Sequence, residues 1–172
     1  EYLASIGNTL FFSAYEGYDQ ELWRARHEAW ETIHRAHPKK ETLIVDVAVP
    51  ISTYPQMIVF SQNLVDEHDA AGYVFGHAGD GNIHVNIMVN KKLAGDPLKA
   101  EGAIREVFKA ALELGGTMSG EHGVGIAKAP YIPLEITPAA ADYMKAIKRT
   151  LDPNNILNPG KIFFDEEEAA LE

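Results

Sequence analysis

Two apolar runs on either side of the dipeptide Asp80-Gly81 constrain the fold more than any other feature of the sequence. The runs GYVFGHA and NIHVNIMVN both alternate in character, as the residues of β-strands do. Asp-Gly between such runs is typical of a two-residue hairpin loop, because both central residues of that loop need positive φ. The pattern therefore predicts a β-hairpin that places His77 directly opposite His84.

The two faces of this predicted hairpin differ in chemistry. One face is apolar and is expected to belong to the core, and it carries Val74, Gly76, Ala78, Ile83, Val85, Ile87 and Val89. The other face carries Phe75, His77, Asn82, His84, Asn86 and Met88. A solvated face with two surface histidines is one interpretation, although such faces usually carry Lys, Glu and Thr. Metal or substrate binding is the other, since opposed imidazoles can converge on one ion.

The remaining periodic segments predict an α+β fold. A β-branched run over 43–50 predicts a strand, and 8–17 offers a further one. Apolar spacing and capping residues predict four helices, over 17–37, 54–70, 96–114 and 137–151. The order strand, helix, strand, strand, helix is that of a ferredoxin-like antiparallel sheet covered by helices. We expect a single domain over 1–172, with an acidic tail at 165–172.

Composition excludes several classes of function. The formal net charge of -10 argues against a nucleic-acid partner, which requires a basic face. The chain has no cysteine, which excludes disulfides and thiolate metal sites. No apolar run approaches the ~20 residues of a membrane span, and no signal peptide opens the sequence. We expect a cytoplasmic piece of a longer protein, with peripheral membrane association and homo-oligomerisation left open.

A glycine-dense segment, GGTMSGEHGVGIAK over 115–128, supplies further ionisable side chains. Glu121 and His122 lie among its glycines, which would let the backbone approach a ligand closely. A flexible connector is the alternative interpretation. His77, His84 and Glu121 together form a His₂Glu set, which is typical of a catalytic divalent site for zinc, while manganese or iron would also accept it. A metal-dependent hydrolase or a noncatalytic binding module remains open at this point.

Three motifs together resemble the C-terminal domain of the FAD-linked oxidases. They are GHAGDGNIH, GGTMSGEHGVG with Lys128, and LDPNNILNPGKIF. The family includes D-lactate dehydrogenases, the FAD-binding subunit of glycolate oxidase and D-2-hydroxyglutarate dehydrogenases. Its members place an FAD-binding domain of the PCMH type before this one, and that domain is absent from the sequence. The resemblance implies a substrate-binding cap domain that oxidises a small 2-hydroxy acid to a 2-oxo acid, with hydride transfer to FAD held by the missing domain.

The resemblance also implies individual roles. The metal ligands would be His77, His84 and Glu121, and His122 would take the hydroxyl proton. Asn86 would contact the substrate. Arg26 would bind the substrate carboxylate. Asn158 and Lys161 would belong to a segment that returns to the flavin.

Arg26 also has a purely structural interpretation, as an arginine at the edge of the apolar face of a helix whose charged end extends to solvent. The resemblance departs from the hydroxyglutarate branch at Trp30 and Ile44, where that branch has polar substrate contacts. These departures favour a smaller or more apolar substrate than a dicarboxylate.

Overall fold

The structure is a computed structural model that describes residues 20–67, 71–90, 93 and 96–163. The chain divides into two compact units, Glu1–Lys39 and Lys40–Glu172. In the first unit, α1 spans Gln20–Ala36, which confirms the predicted helix over the part described. Its surface carries an i,i+4 ion pair in which Arg35 Nη2 lies 2.7 Å from Glu31 Oε2. The strand suggested for 8–17 and the acidic tail lie outside the described residues, and the single-domain assignment stays a prediction.

The second unit is built on a three-stranded antiparallel sheet. Its strands are β1 (Glu41–Ala48), β2 (Ala71–His77) and β3 (Asn82–Val89). Their order is β1-β3-β2, so β3 is central, and every residue of β3 is buried. This confirms the predicted α+β class with an antiparallel sheet.

Three helices complete this unit, namely α2 (Tyr54–Glu67), α3 (Asp96–Glu113) and α4 (Pro138–Leu151). Short 3₁₀ turns precede α2 and α4, at Ile51–Thr53 and Ala129–Leu134. The positions agree with the sequence predictions to within a few residues at each end.

The core lies between the apolar face of the sheet and the helices α2 and α3. It contains the side chains Val45, Val47, Ile83, Val85, Met57, Leu64, Val107 and Phe108. Burying one such side chain stabilises the fold by about 1.5–3 kcal/mol. The opposite face of the sheet, which carries His84, is therefore the one that the helices α2 and α3 leave available for a site. Among the described residues, no helix is both long and apolar enough to span a membrane.

The predicted register of the hairpin is wrong. His84 lies opposite Phe75, and His77 lies opposite Asn82. The turn is longer than Asp-Gly alone, because Asp80 N–H donates to the His77 carbonyl at 2.9 Å and only Gly81 of the two adopts positive φ, at 73°. The observed pairing is shifted by two residues from the predicted one, and a shift of two leaves each side chain on its predicted face of the sheet. Both histidines therefore remain on the same face, as diagonal neighbours.

A close approach between backbones explains the position of the turn. The Val49 N–H donates to the Gly81 carbonyl at 2.9 Å. A Cβ at Gly81 would lie 2.0 Å from the Val49 carbonyl oxygen, so a side chain is excluded there. The turn is thus fixed to the chain that leaves β1, and this contact is tertiary, beyond what a local turn signal can predict.

Candidate active site

The polar face of the sheet is organised in cross-strand rows, each with its central member on β3. The rows are Asp46–His84–Phe75, Ile44–Asn86–Tyr73 and Ala48–Asn82–His77. Antiparallel pairing gives each row Cβ separations of about 4.5–5.5 Å. The sheet therefore gathers a carboxylate, two histidines and two amides into one patch.

The glycine-dense segment runs along the free edge of β1. Thr117 and Ala48 exchange two backbone hydrogen bonds, of 2.8 and 3.1 Å. A Cβ at Gly116 would lie 2.2 Å from the Ala48 carbonyl oxygen, which explains the glycine at this point of close approach. This pairing carries the following residues, Glu121 and His122, over the polar face of the sheet.

Three imidazoles surround one oxygen of Glu121. Its Oε1 lies 3.1 Å from His84 Nε2, 3.4 Å from His77 Nε2 and 3.8 Å from His122 Nε2. The His77 and His84 rings are 5.5 Å apart between centroids, and the His122 ring stacks on His84 at 5.0 Å with an interplanar angle of 16°. The structure thus brings together the three predicted ligands and the predicted proton acceptor.

These separations suit a divalent ion. Two ligand atoms about 2.1 Å from a tetrahedral ion lie about 3.4 Å apart, and two adjacent ligands of an octahedral ion about 3.0 Å apart. The distances from Glu121 Oε1 to His84 and His77 fall in this range. Burial lowers the pKa of His84, so its imidazole is neutral at pH 7 and offers a nitrogen lone pair. Side chains of this donor set therefore fit an ion of the zinc, manganese or iron type.

Asp46 is a member of this cluster that the sequence interpretation missed. It is fully buried, and its carboxylate lies 3.6 Å from His84 Nδ1. Burial alone would raise the pKa of Asp46, but hydrogen bonds from the His122 backbone, the Asn82 amide and the Glu121 backbone, with the charge of Lys128, bring the pKa to about 2. The available signal was one charged residue inside the β-branched run LIVDVAVP.

The described residues offer more than one combination of ligands. One polar atom each from Asp46, His84, Glu121 and His122 lie within 4.8 Å of one another. This group shares His84 and Glu121 with the predicted set but contains Asp46 and His122 in place of His77. The choice between the two ligand sets depends on which of these side chains already uses its polar atoms in hydrogen bonds to the protein.

The other predicted site residues are not members of the histidine cluster around Glu121. Asn86 shares the polar face but is only 1% exposed, and its Nδ2 donates to the Tyr73 carbonyl at 3.3 Å. Asn158 and Lys161 lie in the segment after α4 and line a cavity of about 250 Å³ to which no member of the histidine cluster contributes. Arg26 belongs to α1 in the first unit, and its side chain lies outside the described residues, so its role stays a prediction.

A sequence profile described as "FAD linked oxidases, C-terminal domain" matches residues 3–162. The chain belongs to this family. It is 40% identical over 142 residues to the glycolate oxidase subunit GlcD of Bacillus subtilis, covering 83% of the chain and 30% of that protein. It is 38% identical over 148 residues to the D-2-hydroxyglutarate dehydrogenase of Stutzerimonas stutzeri, covering 84% and 31%.

A probable mitochondrial D-lactate dehydrogenase of Danio rerio is 36% identical over 141 residues, covering 82% of the chain and 28% of that protein. The chain thus spans about three tenths of the length of these relatives. Among solved structures, a 4-ethylphenol oxidase from Gulosibacter chungangensis matches with a TM-score of 0.58 at 19% identity, covering 86% of the chain and 31% of that structure. At that identity the likeness concerns the fold alone.

Proposed function

We propose that this FAD-linked oxidase domain is the substrate-binding cap of an FAD-dependent oxidoreductase that converts a D-2-hydroxy acid, of the lactate or glycolate type, to a 2-oxo acid. The observation that carries the proposal is the convergence of His77, His84 and His122 on Glu121 Oε1, on the exposed side of the polar sheet face. Membership of the family supplies the class of chemistry. An FAD-binding domain and a small hydroxy acid are the partners that this function requires.

His77, His84 and Glu121 are the proposed ligands of a divalent ion. Two imidazoles and one carboxylate would leave coordination positions for a substrate, which is the arrangement that catalytic sites require. A bound ion would lower the pKa of the substrate hydroxyl, and FAD would supply the hydride acceptor. The side chains of His77 and Glu121 are 33% and 48% exposed, so a small molecule can reach the position between them.

His122 is the proposed acceptor of the hydroxyl proton. Its ring stacks on His84, its Nε2 lies 3.8 Å from Glu121 Oε1, and its side chain is 47% exposed, so a substrate bound near Glu121 could reach it. Its backbone N–H donates to Asp46 at 2.9 Å, which holds the residue in place. Histidine is the side chain that most often accepts a proton in catalysis at neutral pH.

Two exposed apolar side chains within the cross-strand rows favour a substrate with a small apolar substituent. Ile44 is 40% exposed and lies beside Asn86, while Phe75 is 39% exposed and lies edge-on to His84 at 5.9 Å. A second carboxylate placed against them would lose solvation without gaining a partner. Arg26 is the proposed clamp for the single carboxylate, Asn86 a proposed polar contact, and Asn158 and Lys161 the proposed link to the flavin.

The function is tested by dye-linked oxidation of D-lactate, glycolate and D-2-hydroxyglutarate. The chain together with the FAD-binding domain of its parent protein should oxidise one of the two smaller acids, and the chain alone should oxidise none. His122→Gln should lower kcat by about 10²–10⁴-fold, the range for loss of a general base. The control is Glu106→Gln, an exposed carboxylate on α3, on the other side of the sheet. Turnover by the chain alone, or full kcat in His122→Gln, would contradict the proposal.

A further inference from the structure

We propose that Asp46 is a positioning residue that fixes both the His84 ring and the Glu121–His122 backbone without itself binding an ion. The inference rests on the proposed function only for its effect on ion affinity. Asp46 lies in the middle of β1 and has no exposed surface. A buried carboxylate is costly unless donors surround it, and an apolar residue at this point would avoid that cost. The arrangement of its donors indicates what the charge does.

Asp46 holds the backbone from which two site side chains project. The N–H groups of Glu121 and His122 both donate to Asp46 Oδ2, at 3.0 and 2.9 Å. Two consecutive N–H groups on one oxygen fix the position and the direction of the chain at that point. The preceding residue, Gly120, allows this approach, because a Cβ there would lie 2.7 Å from Asp46 Oδ1. Glu121 and His122 therefore start from a point that the carboxylate sets.

Asp46 also faces the inner nitrogen of His84. Nδ1 is buried, and no residue in the described part of the chain gives it a hydrogen bond. Asp46 Oδ1 lies 3.6 Å away, beyond hydrogen-bond distance but close enough for strong electrostatic attraction in a buried setting. A carboxylate attracts an N–H and repels a lone pair, so the neutral ring should carry its proton on Nδ1. The lone pair then lies on Nε2, which is 3.1 Å from Glu121 Oε1.

The engagement of Asp46 argues against a role as a ligand. Oδ2 accepts from Glu121, His122 and Lys128, and Oδ1 accepts from the Asn82 amide at 2.7 Å. The Lys128 ammonium, 3.1 Å from Oδ2, would also repel a second cation there. We therefore exclude Asp46 from the ligand set and place it behind His84, as carboxylates commonly stand behind metal-binding histidines.

Two readouts test the inference on the 172-residue chain. Long-range ¹⁵N–¹H NMR spectra of the metal-free protein report which ring nitrogen of His84 carries the proton. The wild type should show the Nδ1–H form, and Asp46→Asn should lose that preference. Titration with Zn²⁺ or Mn²⁺ should show a 10–100-fold weaker affinity in Asp46→Asn, the range for loss of such a supporting group. Asp66→Asn, an exposed carboxylate on α2, is the matched control and should change neither readout.

The outcomes separate this inference from the proposed function. An Nε2–H form in the wild type would overturn it, and this measurement needs no variant to fold. An Asp46→Asn protein that is folded and has unchanged His84 spectra and ion affinity would also overturn it. If the wild type shows Nδ1–H but binds neither ion, the ligand assignment in the proposed function fails, while the tautomer set by Asp46 stands.

Discussion

Replacement of Gly120 by alanine should disrupt the buried polar cluster from the loop side. An added Cβ would lie 2.3 Å from Asn82 Nδ2, 2.7 Å from Asp46 Oδ1 and 2.9 Å from the Val47 carbonyl oxygen. The first two atoms are themselves joined by a 2.7 Å hydrogen bond, so neither can move without breaking it. Overpacking costs about 1–3 kcal/mol, and loss of a hydrogen bond to a charged group about 1.5–3 kcal/mol.

We therefore expect Gly120→Ala to lower the free energy of unfolding by about 2–4 kcal/mol, since the clash and the lost bond partly overlap. For a chain of this size the corresponding fall in Tm is about 5–12 °C. Urea unfolding followed by circular dichroism measures the change. Gly79→Ala is the matched control, because nothing lies within 4 Å of a Cβ there, and it should shift stability by less than about 0.5 kcal/mol. Equal stability of Gly120→Ala and wild type would refute the packing argument.

Three further changes have defined outcomes. Thr137→Ala removes the cap that accepts the Ala140 N–H at 3.3 Å, and should cost about 1 kcal/mol in urea unfolding, more than Thr150→Ala in the last turn of the same helix. Phe108→Ala empties a site that is 1% exposed in the core, and should cost about 3–5 kcal/mol by the same assay; a loss below 1 kcal/mol would contradict the core assignment. The hydrogen bond from Lys148, with those from the Ile156 and Leu157 backbone, lowers the pKa of Asp152 to about 2, so its stabilisation is present above pH 4 and is lost as the pH falls towards 2. Asp152→Asn should show a shallower loss of stability over that interval, and an unchanged pH profile would contradict this account.

The sequence predicts the parts of the fold that local chemistry determines. Alternation places His77 and His84 on one face, and this survives the error in register because a shift of two residues preserves the face. The register itself depends on Gly81 packing against Val49, a contact between distant segments. A two-residue turn signal carries no information about such a contact.

In the candidate site, too, the sequence predicts what is local and misses what depends on contacts between distant segments. The histidines and Glu121 are recognisable from residue type and glycine density, since these features are local. Asp46 is not recognisable from the sequence, because its role depends on hydrogen bonds from the Glu121 and His122 backbone and from Lys128. These donors are distant from Asp46 in the sequence.

Ion content measured by elemental analysis, after dialysis of the chain against Zn²⁺ and removal of excess ion, tests the central claim most directly. The account predicts one bound ion per chain in the wild type and in Glu106→Gln, and loss of that ion in His84→Gln and in Glu121→Gln. A wild-type chain that retains no ion, or a folded His84→Gln chain that retains the full amount, would contradict it.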